Sequence, residues 1–366
     1  MKKNVAIIFL GDCFYDARCI NMMHSLSSQY SVSIICSFEK KLSNPIFDSC
    51  NFFQIKLTAC GLRKYWEFYK KVLKVLNENQ YDYIVAGDLY SLASVALNKQ
   101  HNKIIYDCRE IYSALSAHIN KPFYRFMCGV YENYFLKFVD DVLVTAQTDL
   151  DYLKKKYFKH KHLNWHVIYN YPINIGVSNP KNLRKGFSIP DDNIMVLYQG
   201  VLHKGRGVSK LIKLTSLNSN ITAIIIGDGV EKNYYINYAE SLNVSNRVCF
   251  VDKVAYLELF EYSSCCDVGW AVINNNSLSY SYALPNKLFE YLLSGLPVIA
   301  SPLENIKNIV QLHNVGELVD FNNSKKQLDA IQVLVKNKFD RVYYRNIALQ
   351  HFTWDVQKDT FLKIFL

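Results

Sequence analysis

The chain has 366 residues, half of them hydrophobic, and a formal net charge of +10. That length exceeds one ordinary core and suits two α/β domains, each able to bury most of its apolar surface. The ten cysteines are scattered, with no CxxC pair and no histidine at ligand spacing, and Cys265 and Cys266 are merely adjacent; this excludes a disulfide framework and a zinc site and fits a reducing cytoplasm.

The N-terminal "MKKNVAIIFLGDC" has a basic start, but its apolar run reaches Gly11 and Asp12 after six residues, too few for a signal peptide or a spanning helix. Short β-branched runs then alternate with amphipathic stretches. "NVAIIFL", "YSVSIIC", "YDYIVAG", "NKIIYDC", "DDVLVTA" and "HVIYNYP" read as strands of one parallel sheet, because both faces are apolar and each pair is separated by enough chain for a crossover. After a loop rich in Asn, Pro, Gly and Lys the pattern restarts with "NIMVLYQG", "ITAIIIGDG", "RVCFVD", "CDVGWAV", "LPVIAS" and "VGELVD". The expected architecture is two doubly wound domains, 1–173 and 174–345, facing across a cleft, with 346–366 returning to the first. Ligands in such sheets bind beyond the carboxyl ends of the strands, so each strand end is a candidate site.

Charge is unevenly shared. Residues 1–180 carry 22 Lys and Arg against 15 Asp and Glu, the remainder 20 against 17. Two segments concentrate it, "GLRKYWEFYKKVLKVLN" and "YLKKKYFKHKHLNWH", each interleaving lysine with aromatics. A solvated helix face and an interfacial surface on anionic lipid are both open readings. Nucleic acid is not expected, since no recognised motif accompanies the charge. In the first segment Leu62, Tyr65, Trp66, Tyr69, Leu73 and Leu76 fall at roughly helical spacing, with Lys70, Lys71 and Lys74 among or beside them.

The second half carries the more specific signals. "NIMVLYQG" runs into "VLHKGRG", a glycine-rich turn holding Lys204, Gly205 and Arg206 before a helix from Val208. Backbone amides at a helix start together with two cations suit a diphosphate. The turn matches neither GxxxxGK[ST] nor GxGxxG. "ITAIIIGDG" ends in a second tight turn at Gly229. "PNKLFEYLLSGLPVIA" places Asn286, Lys287 and Glu290 on the first turns of a helix, with Pro285 suited to its first turn. Glu290 neighbours Asn286 and Lys287 on one face. Its carboxylate suits two vicinal hydroxyls, as on a ribose, and an ion pair with Lys287 is equally open.

"YQGVLHKGRG", "IIIGDG" and "YALPNKLFEYLLSGLPVIAS", in that order, resemble the nucleotide-sugar half of family 4 retaining glycosyltransferases of the GT-B fold, surface-polysaccharide type. "YDARCINMMHSL", "YDYIVAGDLYSL", "IIYDCREIY", "HVIYNYP" and "FTWDVQKDTFLKIF" extend the likeness over nearly the whole chain. The resemblance implies Glu290 on the donor ribose, as second glutamate of the EX7E motif, and Lys204, Gly205 and Arg206 on the diphosphate. It adds Lys287, Asn286, Leu288 and Gly229 to the donor side. Arg206, Lys287 and Arg109 are the expected catalytic groups, with no metal or cofactor required. Tyr282 stands where the first EX7E glutamate falls, and Val201 where an arginine often follows the loop's first glycine. The family's glycine-rich acceptor loop is missing; in "GDCFYDAR", Asp12, Asp16 and Arg18 are candidate polar contacts, joined by Asp88 and Glu110 at later strand ends.

The implied activity is transfer of a sugar from a nucleotide donor, UDP-linked, to a surface glycan or polyprenyl-linked glycan acceptor, at the inner face of the plasma membrane. A GT-B nucleotide-sugar 2-epimerase and a non-catalytic glycosyltransferase-like subunit remain alternatives.

Overall fold

A computed structural model describes residues 2–100, 102–115, 118–177, 179–336 and 340–366. It divides into two compact units, one formed by 1–170 with 357–366 and the other by 171–356.

The first unit is built on a seven-stranded parallel sheet ordered β3-β2-β1-β4-β5-β6-β7. Its strands are β1 (Asn4–Phe9), β2 (Ser31–Cys36), β3 (Cys50–Gln54), β4 (Tyr83–Ala86), β5 (Lys103–Cys108), β6 (Asp141–Val144) and β7 (Asn164–Val167). Central strands such as "VAII" and "YIVA" are buried on both faces, which is why they read as continuous apolar runs. Sequence reading missed β3. Its "CNFFQ" is a partly exposed edge strand, so it lacks that signature. Strand order reverses between β1 and β4, leaving a crevice at their carboxyl ends.

The helix Leu62–Glu78 departs from the expected single stripe. Phe68, Val72 and Leu76, four residues apart, form the buried face, whereas Leu62 and Trp66 stay 79% and 59% exposed. Aromatic residues thus sit on both its packed and its outward sides.

The second unit carries a six-stranded parallel sheet ordered β10-β9-β8-β11-β12-β13. Its strands are β8 (Ile194–Gln199), β9 (Ile221–Ile226), β10 (Val248–Val251), β11 (Val268–Ala271), β12 (Val298–Ala300) and β13 (Gly316–Leu318). The reversal lies between β8 and β11. Beside it runs the helix Asn286–Leu293, buried from Lys287 onward. Gly269 on β11 makes that approach possible: a Cβ there would stand 2.3 Å from Cδ2 of Tyr291.

The chain re-enters the first unit at Gln357 rather than at residue 346. The helix Arg341–His351 stays with the second unit because Arg341 donates to the Ser264 carbonyl (2.9 Å) and Arg345 to that of Leu293 (2.7 Å). From Gln357 the tail is held to the first unit, its side chain bonding both the N–H and the carbonyl of Tyr169 and its last residues taking hydrogen bonds from Tyr30 and Lys103.

Candidate functional site

At the reversal point of the second sheet, β8 ends in a polar residue after five apolar ones, Gln199, and this amide organises the site. Its N–H donates to the Tyr291 hydroxyl (3.0 Å), its Oε1 accepts from Ser263 Oγ (2.8 Å), and its Nε2 donates to Oε2 of Glu290 (2.5 Å). Glu290 is only 5% exposed. Burial pushes its carboxyl up to about 7, against the pull of Gln199, Lys287 and Tyr256 in the opposite direction.

Lys287, one turn earlier, is also buried, and its ammonium lies 3.6 Å from the centre of the Tyr198 ring. Glu290 and Lys287 thus have separate contacts, an amide for the carboxylate and an aromatic face for the cation. Burial, reinforced by the charge of Arg206 and opposed by Glu290, holds Lys287 well below the usual lysine range. A cation held this way gains more than an exposed one from an arriving anion.

Arg206 stacks on Tyr280, 5.0 Å from the ring centre, and the Tyr280 hydroxyl donates to the Lys204 carbonyl (3.0 Å). Other carbonyls of this loop are also engaged: His203 by the Tyr235 hydroxyl, Gly205 by the Asn274 N–H and Gly207 by Trp270 Nε1. The loop is therefore fixed rather than flexible. Gly207 has φ +78°, and a Cβ there would fall 2.1 Å from the Val272 carbonyl oxygen, so no side chain fits where the helix Val208–Leu217 begins. No side chain caps that helix or the helix Asn286–Leu293, and the first amides of both lack an intrahelical acceptor.

The remaining donor-side residues divide. Asn286 is the half-buried first residue of its helix, and Pro285 is the cap before it rather than a member of the first turn. Leu288 is unsuited to contact a ligand, because its side chain is fully buried and its N–H bonds to the Pro285 carbonyl. Lys204 reaches outward, its side chain 78% exposed and 3.9 Å from Glu231. Gly229, at φ +158°, closes the turn after β9 against Leu202. Tyr282 ends the short helix Leu278–Ser281, its carbonyl accepting from Asn305, and Val201 is 67% exposed. Sequence reasoning missed Gln199 and Ser263; the amide closing an apolar strand was the available signal for the first.

In the first unit the strand-end residues support one another. Asp107, fully buried at the end of β5, takes Arg18 Nε on both oxygens (2.7 and 2.9 Å) and Arg109 Nε on one (2.8 Å). Arg18 is 2% exposed and also donates to the Ile168 carbonyl and to Asn170, so it is a structural ion-pair member rather than an open polar contact. Arg109 adds Asp16 (2.8 Å) and lies over the Phe9 ring. Asp16 also caps the helix Ala17–Leu26, Asp12 caps the turn Cys13–Tyr15, and buried Asp88 caps the helix Leu89–Ala96 while accepting from the Leu10 N–H. The capping role of these three aspartates occupies oxygens that were candidates for an acceptor. Glu110 is exposed beyond β5. Its charge adds to burial in raising Asp149, a carboxyl that sequence reading did not single out, to about 6.

The shift of Glu290 yields a stability prediction. A glutamate ordinarily titrating at 4.5 and raised to about 7 in the fold contributes stability below pH 4.5 that is lost as pH rises through about 7. Glu290→Gln removes that titration. In urea unfolding, the stability of the variant relative to the parent should therefore rise between pH 5 and 8, by up to roughly 3 kcal/mol. A flat difference would place the carboxyl near its ordinary value.

Comparison with known proteins supplies the family context. O-antigen biosynthesis glycosyltransferase WclY of Escherichia coli is 31% identical over 158 residues, 43% of this chain and 42% of that protein. The match thus spans well under half of the relative's length. An uncharacterized glycosyltransferase of Haemophilus influenzae is 23% identical across 87% of this chain and 85% of its own. Among solved structures, sucrose-phosphate synthase from Thermosynechococcus elongatus superposes with a TM-score of 0.77 at 17% identity, covering 100% of this chain and 98% of that one. Anabaena HepE in complex with UDP-glucose gives 0.73 at 15% identity, with 99% of each chain covered. WaaG, a glycosyltransferase involved in lipopolysaccharide biosynthesis, gives 0.71 at 15%, covering 97% and 98%. The fold is that of GT-B glycosyltransferases. Residues 180–351, which lie within the second unit, match the family model described as Glycosyl transferases group 1.

Proposed function

We propose that the protein is a retaining glycosyltransferase that moves a sugar from a UDP-linked donor to a surface-glycan or lipid-linked glycan acceptor. The observation that carries this reading is the buried carboxylate of Glu290, held by Gln199 at the reversal point of the second sheet, with Lys287 and Arg206 beside it. A carboxylate suits the two hydroxyls of a ribose, and the two cations with the loop amides suit a diphosphate. Support comes from the HepE structures, which hold UDP-glucose and UDP, and from WclY, which acts in O-antigen biosynthesis.

In this mechanism the bond between the sugar's anomeric carbon and the diphosphate breaks while the acceptor oxygen bonds to that carbon on the same face. The acceptor's proton passes to a diphosphate oxygen. Arg206 and Lys287 stabilise the charge that grows on the leaving group, the step in which fixed cations lower the barrier most. No metal or cofactor is assigned a role. Asp16 and Asp107 hold Arg109 in place on the acceptor side.

Calorimetry with UDP tests the donor site. Hydrogen bonds to charged groups contribute about 1.5–3 kcal/mol, so Glu290→Ala should weaken UDP roughly ten- to hundred-fold while circular dichroism stays unchanged. Unchanged affinity would remove the ribose assignment. Transfer that requires acceptor separates this reading from epimerisation of the free donor.

We further infer attachment to the inner membrane surface through the first unit. No helix among the described residues is long and apolar enough to cross a membrane. Lys70 and Lys74, exposed on the helix Leu62–Glu78, join the exposed Lys154, Lys155, Lys159 and Lys161 in favouring an anionic surface. Sedimentation with anionic vesicles should succeed at low salt and weaken at high salt, because charges beyond ~10 Å are screened at 0.1 M. Equal binding to neutral vesicles would contradict electrostatic attachment.

A further inference from the structure

The first unit contains a groove of about 500 Å³ whose lining is apolar and aromatic. Its walls are three helices, Leu62–Glu78, Leu89–Ala96 and Pro122–Phe135. Tyr65 stacks on Tyr90 at 4.6 Å, Ala93 and Cys128 are buried, and Trp66 and Met127 remain 59% and 46% exposed. The Pro122–Phe135 helix also presents Phe123 and Phe126 at 76% and 65% exposure. Contiguous apolar surface of this kind marks a site for a ligand or partner.

Two features specify the occupant. The groove runs along the helix Leu89–Ala96, and its lining residues Leu89 and Tyr90 follow Asp88 just past the carboxyl end of β4, one of the two strands between which the order reverses, the place where ligands bind in such sheets. The second feature is charge. Tyr90 meets Tyr112 edge-on at 6.1 Å, and the adjacent Ser113 draws two cations together: Arg125 Nε donates to its carbonyl (2.8 Å) and Lys156 Nζ to its hydroxyl (2.5 Å). Lys156 passes over Gly129 of the groove helix, where a Cβ would stand 3.5 Å from its Nζ. Burial, with a contribution from Arg125, lowers the Lys156 ammonium below its ordinary value despite nearby Glu132. That glutamate is itself occupied by the hydroxyls of Tyr106 and Tyr157. An apolar channel with two converging cations beside it fits a single hydrocarbon chain carrying an anionic head.

We propose that this groove, with Arg125 and Lys156, holds the lipid phosphate anchor of the acceptor, its hydrocarbon chain between the three helices and its phosphate at the two cations. The proposal rests on the glycosyltransferase reading only for the identity of the lipid as acceptor; the binding site itself is independent of it.

Farnesyl phosphate below its micellar concentration is the probe, measured by calorimetry on the full chain. It should bind at least ten-fold more tightly than dimethylallyl phosphate, which has the same head and a shorter chain, and at least ten-fold more tightly than farnesol. Trp66→Glu and Met127→Glu, at exposed positions that need not disturb folding, should weaken it at least ten-fold while leaving UDP affinity unchanged. Arg125→Gln combined with Lys156→Gln should abolish the preference over farnesol. Equal binding of the long and short phosphates, or unchanged affinity in both glutamate variants, would overturn the proposal. Loss of vesicle binding in Trp66→Glu with farnesyl phosphate unaffected would assign the face to bulk membrane lipid and overturn it equally. UDP titrated into the same samples separates the two readings: failure of UDP with success of farnesyl phosphate contradicts the proposed function and leaves the groove standing.

Discussion

One buried amide sets the geometry of the second unit's site. Gln199 closes β8, and its three hydrogen bonds join the strand to Ser263, to Tyr291 and to Glu290. A buried carboxylate without a donor would cost several kcal/mol or stay protonated at every working pH. With one strong donor and the field of Lys287, Glu290 instead sits near the point of half ionisation at neutral pH. Ligand hydroxyls that donate to it draw the equilibrium toward the charged form. Lys287 is the counterpart, a cation that burial disfavours and a diphosphate would relieve. Both groups are therefore costly to the empty fold, a common property of binding sites.

The first unit answers the same electrostatic problem differently. Asp107 is fully buried and satisfied by Arg18 and Arg109. The pairing is complete without a ligand, and removing one partner of such a network leaves a buried charge, with a cost of about 3–5 kcal/mol. Arg109 is thus held on two sides, by Asp16 and Asp107. The buried charges at the strand ends of this unit are thus paired with one another, whereas its aromatic groove lies open beside Arg125 and Lys156.

Legibility in the sequence followed burial. Strands covered on both faces read as unbroken apolar runs, and the four inner strands of the second sheet, β8, β9, β11 and β12, stand out this way, whereas β3, a partly exposed edge strand, has no such pattern. The glycine turn before Val208 was readable because close backbone approach demands glycine, and Lys287 and Glu290 because charges on an otherwise buried helix are rare. Other roles depend on partners far away in the chain. Nothing near Arg18 predicts its pairing with Asp107, 89 residues on, and Gln199 meets Glu290 across 91. The aspartates Asp12, Asp16 and Asp88 looked like site residues for the same reason that they cap: a carboxylate just before a helix satisfies free amides, and strand ends are where helices start. The groove was hidden because the helix Leu62–Glu78 carries apolar residues on two faces, only one of which packs inward.

The central claim is that a nucleoside diphosphate is held by the end of β8, the loop after it and the start of the helix Asn286–Leu293. Hydrogen–deuterium exchange with and without saturating UDP tests it most directly, since amides that bind or shield the ligand slow their exchange. The account predicts protection concentrated in residues 199–209 and 286–291, with Glu290→Ala reducing it in both segments. Protection confined to other segments, or none at a UDP concentration that calorimetry shows to be saturating, would contradict it.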